Sequence, residues 1–141
     1  MCVRFDMQEI SAGSVIYRKH NHEIEYVIIH QINGNHFGFP KGHIEFDESI
    51  EETIKRECLE EVGIDVDILG YPMENHYQIN NSINKKVIYM LSETQAINLT
   101  FQKEELYDAL FLTYEEAIKK LTYQRDQEVL TYYHQLIKEI I

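Results

Sequence analysis

Glu57, Glu60 and Glu61 recur at i, i+3 and i+4, a spacing that on an α-helix gathers three carboxylates within an arc of roughly 100°. Like charges so close repel, and a helix that keeps them needs a reason. Hard divalent cations such as Mg²⁺ are one, because they take oxygen ligands and select carboxylate clusters. The plainer alternative is a solvated acidic face, the usual state of a Glu-rich helix. The glutamates belong to the stretch Gly42 to Ile64, GHIEFDESIEETIKRECLEEVGI, which also places Arg56 beside Glu57 and Glu48 ahead of the helix. Lys41 directly precedes this stretch and reads as a phosphate contact next to such a cluster.

The elements that must position these residues follow from the pattern around them. Residues 49 to 62 read as a helix: Asp47 or Ser49 can cap it, acidic residues fill its first turn, and Gly63 ends it. Ile50, Ile54, Cys58 and Val62 form one stripe, with Leu59 widening it, and that stripe must face a core. Upstream, residues 13 to 18 and 23 to 30 are β-branched and aromatic runs that read as a hairpin across Lys19 to His22. Gln31 to Asn35 is a turn, and His36 to Gly42, HFGFPKG, leads the chain to the helix. There Pro40 keeps Phe39 extended, and Gly42 lets backbone approach a ligand.

Downstream, a strand begins at Ile64 to Gly70, and Val87 to Leu91 is a second. Between them Asn80 to Lys86 reads as a polar hairpin loop, with Lys85 and Lys86 as solubilising residues at its tip. Asn98 to Phe101 is a candidate short strand. Asp108 to Leu112 is a strand that feeds a helix capped by Thr113, and the C-terminal apolar spacing gives two helices or one broken near Thr122. A sheet with helices on both faces is the economical α/β architecture for this order.

At 141 residues the chain fits a single domain, 1–141, with 44% apolar and 26% charged residues as in ordinary globular proteins. No run reaches the ~18 apolar residues of a membrane span, and the start, MCVRFDMQEI, is too polar for a leader; the expectation is a cytoplasmic protein without a membrane partner. Cys2 and Cys58 suggest neither a disulfide framework nor zinc. A net charge of −11 argues against DNA and against anionic membranes as nonspecific partners. The sequence leaves monomer and homodimer open.

Read with its gaps, the stretch runs Gly42, five residues, Glu48, seven residues, Arg56, Glu57, an apolar position, one residue, Glu60, Glu61, one residue, Gly63 and Ile64. This resembles the Nudix box, G-x5-E-x7-R-E-U-x-E-E-x-G-U, at every polar and glycine position. Cys58 departs at a position for a bulky aliphatic, where a buried thiol serves as a small hydrophobe. With FPKGH, VIYML and LFLTYEEA, the similarity spans roughly residues 11 to 125 and is closest to the branch that hydrolyses diadenosine tetraphosphate asymmetrically. The resemblance implies the Nudix fold, an α/β/α sandwich around a mixed β-sheet with the box as loop-helix-loop. It also implies an enzyme that uses Mg²⁺, or Mn²⁺, and water to cleave a phosphoanhydride of a nucleotide.

Carried over by position, Glu57, Glu60 and Glu61 are metal ligands together with the carbonyl of Gly42. Arg56 orients a box carboxylate, Glu48 supports the box, and Glu105 acts on metal or water from the loop before the last strand. The base is Glu57, Glu60 or Glu105, and Glu104 is the neighbour to test beside Glu105. On the substrate side the resemblance implies that His36, Lys41, Tyr77 and Lys85 contact polyphosphate or base and that Tyr123 packs on an adenine. Helix packing is the plainer role for Tyr123. Related readings are a Nudix hydrolase of nucleoside triphosphates, nucleotide sugars or RNA 5′ ends, and a non-catalytic nucleotide sensor, whose usual mark is a degraded box.

Overall fold

The computed structural model describes residues 7–141, so Cys2 and most of the polar N-terminal segment lie outside the described residues. Strands β1 (Met7–His20) and β2 (Glu23–Gln31) form the expected hairpin, paired from Tyr17↔Tyr26 to His20↔Glu23. Asn21 and His22 close it with φ of 50° and 66°, the left-handed pair that matches the twist of the two strands. The far edge of β2 pairs antiparallel with β7 (Leu106–Thr113), while β3 (His36–Gly38) pairs with Ile29 to Gln31.

On its other side β1 runs parallel to β6 (Ile83–Glu93), from Met7↔Ile83 to Tyr17↔Glu93, and β5 (Asp67–Asn80) flanks β6 antiparallel. The short β4 (Lys41–His43) pairs with Ser11 to Gly13 of β1, completing a mixed seven-stranded sheet. Because side chains alternate along a strand, β2 sends Val27 and Ile29 to one face and Tyr26 and Ile28 to the other.

Helix α1 (Ile50–Val62) covers the first face through Ile54, Cys58 and Val62. Helices α2 (Tyr114–Lys120) and α3 (Gln124–Ile140) cover the second through Ala117, Leu130, Tyr133 and Ile137, giving the α/β/α sandwich. Tyr133 ties α3 to the sheet by donating to the carbonyls of Tyr89 and Tyr71. None of the helices is long and apolar enough to cross a membrane.

Four expectations are corrected. Leu59 does not widen the buried stripe: it is 62% exposed, because the arc that reaches the sheet ends at Cys58. Asn98 to Phe101 forms no strand; its Thr100 N–H instead donates to the Val62 carbonyl at 3.1 Å, packing the segment on the end of α1. The strand expected from Ile64 starts only at Asp67, with Ile64 and Val66 buried in the connection. Last, Asn80 to Lys86 is not a loop. β6 begins at Ile83, the turn is confined to Asn81 and Ser82, and Lys85 is a buried strand residue.

Candidate active site

Local sequence fixes α1 at both ends. Ser49 accepts from Glu52 N–H while Glu52 accepts from Ser49 N–H, a reciprocal cap, so Ser49 rather than Asp47 starts the helix. Gly63 closes it at φ 68°, where a Cβ would also lie 2.0 Å from Thr100 Oγ1. These ends set which carboxylates face the β4 loop.

Arg56 organises the outer side of the cluster. Its Nε and Nη2 donate to Glu48 at 2.7 and 3.0 Å, its Nη1 to Glu57 at 2.6 Å and Glu60 at 3.3 Å, and its Nη2 also to the His43 carbonyl at 3.0 Å. Arg56, then Thr53, hold the Glu48 carboxyl down to about 2, and Glu48 in turn raises Arg56 further above its ordinary range. The fork therefore stays charged and bound across the working pH range.

The inner side carries the strain. Glu61 accepts one hydrogen bond, from Lys41 N–H at 3.0 Å, and burial followed by repulsion from Glu57 pushes its carboxyl up to about 8. Burial also raises Glu57, with Arg56 pulling the other way and Glu60 and Glu105 adding repulsion. Glu105 sits in the turn before β7, lining with Glu61, Glu104 and Asn33 a cleft of about 490 Å³. Glu60 is exposed on the Arg56 side. Glu57, Glu61 and Glu105 are thus close enough to repel one another.

As they stand, the carboxylates are shared among Arg56 and the Lys41 amide, and among the described residues no group of three His, Cys, Asp or Glu forms a ready cage. The residues nevertheless fit a hard cation. A Cβ on Gly42 would lie 2.1 Å from the Glu57 carboxyl carbon, so glycine alone lets the backbone of β4 meet that carboxylate. Oxygen donors, raised carboxyl pKa values and unneutralised mutual repulsion are the features a divalent ion relieves.

Lys41 joins this cluster to a second group. Its backbone contacts Glu61, while its Nζ donates to Tyr77 Oη at 3.3 Å. Tyr77 pairs across β5 and β6 with Lys85, whose Nζ donates to Ser11 Oγ at 2.6 Å and lies 3.7 Å from Glu9. Burial lowers the Lys85 pKa, and only tertiary pairing makes this lysine part of the group. His36 stands on β3 with its ring centroid 5.5 Å from that of Tyr123, and burial, then Lys41 and Arg125, lower its pKa. Tyr123 is the N-cap of α3 and is only partly buried, so it is not a core aromatic.

Two residues here escaped sequence reasoning. Arg125 Cζ lies 3.7 Å over the Tyr77 ring and 4.1 Å over the Tyr123 ring. Asp126 is 5% exposed, accepts from Asn75 Nδ2 at 3.4 Å and Tyr89 Oη at 3.5 Å, and has a carboxyl pKa raised by burial. Neither stands in a spaced motif; α3 packing on the sheet brings both to the site. Cys58 is buried with its thiol pushed up by burial, which leaves it a packing residue.

The pattern of the family described as a NUDIX domain matches residues 7–133. A Mus musculus protein named bis(5′-nucleosyl)-tetraphosphatase [asymmetrical] is 30% identical over 90% of this chain and 94% of its own. A Sulfurovum sp. RNA pyrophosphohydrolase is 29% identical over 79% and 81% of the two chains. Among solved structures, a C. elegans Ap4A hydrolase binary complex superposes with a TM-score of 0.84 at 24% identity, covering 94% of this chain and 99% of that one.

Proposed function

The chain belongs to the NUDIX family of hydrolases that cleave pyrophosphate bonds, and from that premise we propose that it splits dinucleoside polyphosphates, converting diadenosine tetraphosphate and water into ATP and AMP. The observation that carries this reading is Lys41, whose backbone holds a box carboxylate while its side chain meets Tyr77, beside which Arg125 bridges to Tyr123 and Tyr123 pairs with His36. One residue thus couples a hydrolytic cluster to two aromatic faces suited to a base. The name of the Mus musculus relative supports the same substrate class.

Enzymes of this family need a divalent metal ion; we assign it here as Mg²⁺, with Mn²⁺ as a substitute. When bound, that ion neutralises phosphate charge and lowers the pKa of a coordinated water. Glu57, Glu61 and the Gly42 carbonyl are assigned to hold it, with Glu60 and Glu105 completing the set. Arg56 restrains Glu57 and Glu60, and Glu48 anchors Arg56. A glutamate among Glu57, Glu60 and Glu105 takes the proton of the attacking water. Lys41, Lys85 and His36 face the polyphosphate, where a few cations offset the −11 of the whole chain. Tyr77 and Tyr123 stack the base. The same charge supports a protein without DNA or membrane partners.

The test is a panel: diadenosine tetraphosphate, ATP, a 5′-triphosphate RNA, ADP-ribose and a nucleotide sugar, each with Mg²⁺ and compared by kcat/KM. Preference for the dinucleoside tetraphosphate by about tenfold or more supports the assignment. Preference for another substrate replaces it, and nucleotide binding without any turnover replaces it with a sensor.

A further inference from the structure

Arg125 occupies the place that the foregoing assignment gives to a base. Its guanidinium lies over both the Tyr77 and the Tyr123 rings, at 3.7 and 4.1 Å, and among the described residues it has neither an ion pair nor a hydrogen bond. The position is electrostatically poor in two ways. Arg125 is in the first turn of α3, where the helix dipole disfavours a cation. It also shares the Tyr77 ring with a second cation, Lys41 Nζ, 5.9 Å from the centroid.

Helix stability therefore does not explain the residue; the two aromatic faces do, and the foregoing assignment adds a polyphosphate beside them. A base and a guanidinium compete for the same π faces, and base stacking outweighs an exposed cation–π contact. Once displaced, the guanidinium remains tethered beside Lys41 and His36, where a phosphate accepts its paired N–H donors.

We propose that Arg125 is a specificity-determining plug: it holds the ring-lined slot until a base displaces it onto the polyphosphate, so it opposes bare nucleosides and favours highly charged nucleotides. The proposal rests on the assignment of Tyr77 and Tyr123 as the base slot. It concerns a residue outside the box, one to which the resemblance assigns no role.

Isothermal titration of adenosine and ATP into wild-type protein, Arg125→Ala and Arg125→Gln in metal-free buffer tests it. Both variants should bind adenosine about threefold more tightly, since the competing contact is gone. They should bind ATP about tenfold more weakly, since a charge-assisted phosphate contact is gone. Equal weakening of both ligands would make Arg125 a mere wall of the slot and overturn the proposal, as would no change in either, or no adenosine binding by any of the three proteins. A folding defect would weaken adenosine and ATP alike, so opposed shifts in both variants exclude it as the cause. Turnover is measured separately on the wild type: loss of the substrate assignment would appear there, whereas the opposed adenosine and ATP shifts decide the role of Arg125.

Discussion

Glu61 bears a large electrostatic cost, because it is half-buried and largely desolvated, next to Glu57, and supported by one backbone N–H. Its carboxyl is raised to about 8 from an ordinary 4.5. In the unfolded chain it ionises near 4.5, so its stabilising contribution to the metal-free fold is complete below that pH and is lost as pH climbs through about 8. Glu61→Gln should thus abolish that loss, raising the melting temperature in EDTA at pH 8 to 9 by a few degrees relative to wild type. The same change should cut turnover by about 10²-fold or more. Thermal melts from pH 5 to 9 with and without EDTA, alongside rates, check both halves; a variant less stable than wild type at pH 9 would show that the Glu61 charge is not strained.

Arg56 is the complementary case. Arg56→Lys keeps the charge but loses the fork that holds Glu48, Glu57 and the His43 carbonyl, so kcat should fall about 10- to 100-fold. A kcat near wild type would mean that the fork orients nothing.

At the scale of elements, α1 was legible because its signals are local: the Ser49 and Glu52 cap, the Ile54, Cys58 and Val62 stripe, and the glycine end all lie within one run of sequence. β6 was not. Asn84, Lys85 and Lys86 read as loop by composition, yet parallel pairing to β1 carries the strand through them, and Ser11 and Glu9 satisfy Lys85 from residues far away in the chain. Arg125 was invisible for the same reason, since only the docking of α3 brings it over Tyr77.

The approach of β4 to α1 gives the sharpest expectation at this scale. Gly42→Ala places a methyl 2.1 Å from the Glu57 carboxyl carbon and must push that carboxylate out of place. Turnover should fall by about 10²-fold while the core is untouched, with folding monitored by circular dichroism. Ser49→Ala removes only the cap, costing about 1 kcal/mol in denaturant unfolding and leaving kcat nearly unchanged.

For the whole molecule, the proposed assignment has a chain of charge −11 meet a polyanion through a few local cations, namely Lys41, Lys85, Arg125 and, when protonated, His36. Such an arrangement is sensitive to screening, so KM for diadenosine tetraphosphate should rise several-fold between about 0.05 and 0.5 M salt with kcat less affected. Lys41, at the start of β4, meets a carboxylate of α1 through its backbone N–H and the Tyr77 hydroxyl of β5 through its side chain.

The most direct measurement is the identity of the products when the protein is incubated with Mg²⁺ and diadenosine tetraphosphate and the mixture is resolved by chromatography. ATP and AMP in equal amounts, absent with Glu57→Gln, are the expected result. Two ADP per substrate, or ATP and AMP formed unchanged by Glu57→Gln, would contradict the assignment of the carboxylate cluster as the centre of asymmetric cleavage.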